Sequence, residues 1–144
     1  MNITATEQRL KIGEVATISG LSVKTIRYYE DIGLLAPNVL RAESGYRLFE
    51  PKVLERLAFI KRAQSLGLSL TDVKAVLTVH DRGVLPCDAV KQHLLQKVDQ
   101  LNQEIATLMQ QRSHLEQVLA SWNETPTATS DRIICPNLQA REFP

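Results

Sequence analysis

The chain has 144 residues, 44% of them apolar and 23% charged, as expected of one globular domain or of a small domain with an appendage. No apolar run approaches the roughly 20 residues of a membrane-spanning helix, and the opening MNITATEQRLKIGE lacks an apolar signal core, so a cytoplasmic protein with no membrane partner is expected. The net charge of +1 divides unevenly: residues 1–70 carry ten Lys/Arg against seven Asp/Glu, and residues 71–144 carry seven against nine. A mildly basic front half suits nucleic acid, although so small an excess would not assign it.

Residues 1–9 are polar and expected to be a flexible N-terminus. In LKIGEVATISG the apolar positions Ile12, Val15, Ala16 and Ile18 fall at helical spacing, and Gly20 is a stop signal. Ser22 is an N-cap for a second helix, VKTIRYYEDIG, expected to run to Gly33. Two helices joined by a short glycine-containing turn form a helix-turn-helix. Pro37, Asn38, Ser44 and Gly45 then mark turns, and Tyr46-Arg47-Leu48-Phe49 alternates like a short strand, which suggests a small β-hairpin or wing. Pro51 opens a third helix ending at Gly67, and Ser69 caps a fourth, LTDVKAVLTVH. These elements make a winged-helix domain over residues 10–80, followed by a linker over 81–86.

Cys87 to Trp122 contains neither Pro nor Gly. Lys91, Leu94, Val98, Leu101, Ile105, Leu108, Arg112, Leu115, Leu119 and Trp122 recur at alternating intervals of four and three, and eight of the ten are apolar. A helix of about 35 residues is about 52 Å long, more than the front domain can cover, so its narrow stripe needs a second helix. The same helix of another copy is the natural partner, which predicts a homodimer through Leu94, Val98, Leu101, Ile105, Leu108, Leu115 and Leu119. Residues 123–144 are polar and turn-rich except for Ile133-Ile134-Cys135, an apolar island expected to tuck against another surface, the partner's globular domain being a candidate. The fold class is therefore mainly α: a winged helix-turn-helix, a long dimerisation helix and a C-terminal tail.

Cys87 and Cys135 are too few for a disulfide framework, and with no CxxC or HxxxH pair a self-contained zinc finger is excluded. Structural thiols, metal ligands and redox sensors all remain open for them. No Gly-rich phosphate loop, nucleophile motif or carboxylate cluster points to an enzyme. At the groove-entering end of the second helix stand Val23, Lys24, Thr25, Arg27 and Tyr28. Arg27 can reach a guanine edge or a phosphate, while Lys24 and Tyr28 most simply meet phosphates. Adjacent helical residues point about 100° apart, so Tyr28 is assigned to DNA and Tyr29 is left between DNA and the interior.

IGEVATISGLSVKTIRYYEDIGLLAP, then GYRLF, then LAFIKRAQSLGLSLTDVKAVL resembles the DNA-binding half of the MerR family of transcription regulators, nearly continuously over residues 10–79. The resemblance implies a winged helix whose dimerisation helices pair antiparallel. It also implies homodimers that hold a pseudo-palindromic promoter with an over-long spacer and, on sensing a signal, bend and untwist it so that RNA polymerase engages both promoter elements. The family's Gly-Tyr-Arg wing points to Arg41, Tyr46 and Arg47 as clamps on the DNA backbone. Metal-sensing members place a ligand cysteine where Cys87 stands and others in the loop after the long helix, where Cys135 resembles the last. Asn123 to Cys135 spans at most about 45 Å fully extended, short of the helix length, so pairing within one chain is out of reach. An antiparallel dimer instead implies two composite sites, each with Cys87 of one copy and Cys135 of the other. The third cysteine that mercury and zinc members carry at the helix end is absent, the region reading Ala120-Ser121-Trp122-Asn123. Two thiolates suit Cu(I) or Hg(II), whereas Zn(II) would need help from Asp131, His80 or His114. A thiol redox switch on the same cysteines, or a DNA-architectural protein with no effector, are the alternatives.

Overall fold

The computed structural model describes residues 8–139, so most of the expected flexible N-terminus and the last five residues of the tail lie outside the described residues. The chain divides into two compact units, one up to Lys97 and one from Val98 onward.

In the first unit a two-residue strand β1 (Leu10–Lys11) leads into α1 (Ile12–Ser19), then α2 (Val23–Asp31). The Lys11 amide donates to Glu14 Oε1 at 3.1 Å, holding the start of α1. Gly20, at φ 76°, ends α1 in the left-handed region, its amide donating to the Ala16 carbonyl at 3.0 Å. Ser22 caps α2 by accepting from the Thr25 amide at 3.0 Å. Helix α2 stops at Asp31 rather than Gly33, because the Leu34 amide turns back to the Tyr29 carbonyl at 2.9 Å and pulls Leu34 into the core. Ile18, expected inside, is 60% exposed. The face of α1 that packs inward runs through Ile12, Val15 and Ala16, and Ile18 falls to one side of it.

A 3-10 turn (Ala36–Asn38) leads into β2 (Val39–Arg41), which pairs antiparallel with β3 (Arg47–Phe49). These are the expected wing strands. Strand β1 pairs with the other edge of β3, Leu10 opposite Phe49, giving the order β1-β3-β2. The third strand was not anticipated, since two residues show no alternation. Pro51 and Lys52 form a turn that precedes α3 (Val53–Ser65), whose inward side chains Val53, Arg56, Leu57, Ile60 and Ala63 recur every three or four residues. Ser69 and Asp72 cap α4 (Leu70–Asp81) reciprocally, at 3.1 and 3.2 Å.

Helix α5 (Cys87–Ala120) starts inside the first unit, beyond the expected linker. Three contacts seat its first turns there. His93 Nδ1 lies 3.3 Å from Asp72 Oδ1, Leu94 packs against the core, and Lys97 lies across Gly67. Leu94, expected on the dimer seam, is thus half-buried against its own domain, and the exposed stripe begins beyond it. In the second unit α5 buries no residue. The chain then turns, and its last described element is a short α6 (Pro136–Gln139). Asn137 ties the two ends of that turn: its Oδ1 accepts from the Asn123 amide at 2.8 Å and its Nδ2 donates to the Asn123 carbonyl at 2.9 Å.

Among the described residues of the first unit, Arg56 is the buried charge. Its guanidinium donates to both carboxylate oxygens of Asp81, at 2.6 and 2.9 Å, and to the Leu34 carbonyl. The Arg56 guanidinium holds the Asp81 carboxyl below the ordinary carboxylate range, against a smaller opposing effect of burial. A carboxyl whose folded pKa is depressed stabilises the fold above its unfolded pKa, and that stabilisation is lost as pH falls through the folded value. Asp81→Asn should lower the unfolding free energy at neutral pH by about 1–3 kcal/mol, the lower part of that range reflecting the partial exposure of Asp81. Urea titrations from neutral to acid pH should also show a flatter loss of stability in the variant. An unchanged acid dependence would remove Asp81 as its source.

Candidate DNA-reading face and the two thiols

Helix α2 divides its side chains cleanly. Ile26 and Tyr29 enter the core, and the Tyr29 hydroxyl donates to Gln64 Oε1 of α3 at 2.8 Å. Burial, and then the neighbouring Tyr28, push the Tyr29 hydroxyl pKa upward, so it stays a neutral donor. Lys24, Arg27 and Tyr28 are exposed, at positions i, i+3 and i+4 of one helical face. Thr25 is half-buried and its hydroxyl sits 2.8 Å from that of Ser22, so it works at the helix cap.

The wing turns at Gly45, at φ 86°, where the Ala42 amide donates to the Tyr46 carbonyl at 2.9 Å. Tyr46, 74% exposed, projects from it. A groove of about 840 Å³ runs between the wing and the start of α1, and Arg27 of α2 lines it together with Lys11, Tyr46 and Arg47. The fold therefore brings Arg27 together with Tyr46 and Arg47, which lie about twenty residues further along the sequence. Lys24 and Tyr28 stand on the same helix outside that lining.

Arg41 and Arg47, expected as clamps on the DNA backbone, are each paired with an acidic side chain of α2. Arg47 Nε donates to Glu30 Oε2 at 3.0 Å, and its guanidinium lies 3.6 Å from Asp31 Oδ1. Arg41 lies 3.6 Å from the other Glu30 oxygen and donates to the Gly45 carbonyl at 3.1 Å. Glu30 and Asp31 were missed as members of this site. The only signal was an acidic pair at the end of an otherwise basic, aromatic helix.

Each thiol stands in surroundings of its own. Cys87 is free and exposed at the first position of α5. It borders a cleft of about 950 Å³ whose walls include Phe59, Val76, Leu77, Pro86, Arg56 and Asp81. Cys135 is free and half-buried in the second unit, its amide donating to Gln139 Oε1 at 2.8 Å. Among the described residues no three His, Cys, Asp or Glu side chains gather as metal ligands. Cys87 and Cys135 therefore each stand singly, without a cluster of further ligand side chains among the described residues.

Comparison with known proteins gives the same assignment. The chain matches the description "MerR HTH family regulatory protein" over residues 10–79 and "MerR, DNA binding" over residues 54–118. It is 33% identical over 131 residues to the mercuric resistance operon regulatory protein of Bacillus cereus, covering 91% of this chain and 96% of that protein. Among solved structures it resembles the transcription regulator PbrR691 of Ralstonia metallidurans CH34 in complex with lead(II), at 28% identity and a TM-score of 0.69, covering 82% of this chain and 91% of that one. It also resembles the regulator MerR of Bacillus megaterium MB1 in complex with mercury(II), at 27% identity and a TM-score of 0.61, covering 92% and 97%. Those relatives are transcription regulators, and among the described residues no helix is long and apolar enough to cross a membrane. With a helix-turn-helix, a wing and a long helix in the family's order, the chain belongs to the MerR family of DNA-binding transcription regulators.

Proposed function

We propose that this regulator acts as a homodimer on a pseudo-palindromic promoter and switches transcription by distorting the DNA when a soft metal ion enters sites shared between the two copies. The observation that carries the DNA half is the single groove lined by Arg27, Tyr46 and Arg47, with Lys24 and Tyr28 beside it on α2. A recognition helix reading a major groove while a wing clamps the flanking backbone needs such a face. RNA polymerase at the same promoter is the partner that reads the distortion, and no catalytic step belongs to the chain.

The homodimer is supported by the stripe Val98, Leu101, Ile105, Leu108, Leu115 and Leu119, each between 44% and 65% exposed. Apolar side chains repeated on one seam stay in water only at a cost that a second helix removes. The resemblance to the family makes the pairing antiparallel. Cys87 of one protomer then meets Cys135 of its partner, and the exposed Ile134 beside Cys135 gains an apolar surface to cover it. Cu(I) and Hg(II) suit two thiolates, whereas Zn(II) requires further ligands.

Three outcomes test this reading. Arg27→Ala should weaken binding to a promoter duplex at least ten-fold and reduce the salt slope, as about 1–3 kcal/mol of base or phosphate contact disappears, while Arg62→Ala should leave it nearly unchanged. Equal gel-shift titrations for Arg27→Ala and the parent chain refute the groove assignment. Ile105→Asp should convert the dimer to a 16.2 kDa particle in sedimentation at micromolar concentration. The shared site predicts complementation: Cys87→Ser and Cys135→Ser homodimers each bind no Hg(II) tightly under anaerobic conditions. Mixed dimers of the two should recover one of the two sites, because one Cys87 again faces one Cys135. No recovery on mixing would place the ion elsewhere, and thiols that cross-link on exposure to oxidant without binding metal would favour the redox switch.

A further inference from the structure

We propose that Glu30 is a positioning and specificity-determining residue: it fixes the wing arginines against the recognition helix before DNA arrives. The inference rests on the assignment of Arg27, Arg41 and Arg47 to the DNA face. It begins with a problem in the sheet. Arg41 and Arg47 are direct register partners across β2 and β3. Two like charges opposite each other on an antiparallel pair repel and splay the strands. Here one carboxylate lies between them, one oxygen 3.0 Å from Arg47 Nε and the other 3.6 Å from Arg41.

That carboxylate comes from α2, one turn beyond Arg27, so the wing is joined to the helix that reads bases. The Glu30 side chain is only 15% exposed and the Arg47 side chain 24%, so this pair is shielded more than an ordinary surface ion pair. Asp31, by contrast, is 65% exposed and 3.6 Å from Arg47, a weaker second hold. Arg41 is further pinned by its bond to the Gly45 carbonyl at the wing tip.

A carboxylate next to phosphates repels them, so Glu30 costs affinity for any duplex. It also removes, in advance, the ordering of two long side chains that binding would otherwise require. The two effects differ between duplexes. A duplex whose backbone lies where the fixed arginines point gains from their order, whereas an unmatched duplex meets only the added negative charge. For a matched duplex the gain from order outweighs the repulsion, so Glu30 raises affinity there alone and with it the discrimination between sites.

The test uses the full chain, a duplex enriched by it from a random-sequence pool, and the same duplex with its sequence scrambled, both titrated at one salt concentration. Glu30→Gln should bind the enriched duplex about ten-fold more weakly, as two arginine side chains must be ordered on binding. The scrambled duplex should bind as before or more tightly. Glu30→Asp should recover part of the discrimination. Arg47→Lys, which keeps the charge and loses the planar fork, should reproduce the Glu30→Gln loss, with the double variant no worse than either. If Glu30→Gln tightens both duplexes by the same factor, Glu30 is only a repulsive charge. If it weakens both in parallel with a lower melting temperature, Glu30 is only structural, and either result overturns the proposal. A parent chain that enriches no duplex fails earlier, at the DNA reading itself, and the role of Glu30 falls with it.

Discussion

The interaction on which the first unit turns is the buried fork of Arg56. One guanidinium joins the carbonyl of Leu34, where the chain leaves the recognition helix, to Asp81, where it leaves α4 on the way to α5. A buried ion pair adds little net stability compared with apolar residues of the same volume, since both charges must leave water. It is demanding about geometry, however, because a misplaced partner leaves a buried charge unpaired. Any shift of α4 must therefore be felt at the end of α2 or break the fork. The fork thus fixes the end of α2 against the end of α4.

A second set of contacts extends that stiffness to the base of α5. Lys74 donates to the Ile32 carbonyl at 3.0 Å, beside the turn that ends α2. Lys97 lies across Gly67, so close that a Cβ on that glycine would stand 2.9 Å from its Cε. Lysine ammonium groups favour helix C-termini, where unpaired carbonyls and the dipole concentrate negative charge. Gly67, at φ 90°, supplies the backbone conformation that ends α3 and leaves room for the lysine stem. Together with Leu94 and the His93–Asp72 contact, this makes the first turns of α5 part of the domain that reads DNA.

Much of this fold is legible in the sequence, for a physical reason. Helix starts and stops at Gly20, Ser22, Gly67 and Ser69 depend on residues within four positions, so their chemistry can be read locally. The Tyr28-Tyr29 pair shows where that legibility ends. Helical geometry separates the two side chains, but only the packed core decides which one enters, and Tyr29 finds Gln64 35 residues away. The same limit hides the partners of Arg47 and Arg56, which lie 17 and 25 residues distant. Composition marks both as cations without telling a free cation from a paired one. Heptad spacing likewise cannot see that Leu94 finds its cover at home.

The tail bears on what a bound ion would have to do. No cysteine stands at the end of α5, where the chain reads Ala120-Ser121-Trp122-Asn123. Here two hydrogen bonds between Asn123 and Asn137 already close the loop, and Gln139 already accepts from the amides of Ile134 and Cys135. A loop ordered by its own amides needs no metal to fold it, so less of an ion's binding free energy is absorbed in ordering the chain. Under the proposed reading, the ion joins two copies instead of folding one. The missing third cysteine then limits the site to ions content with two sulfurs and does not abolish it.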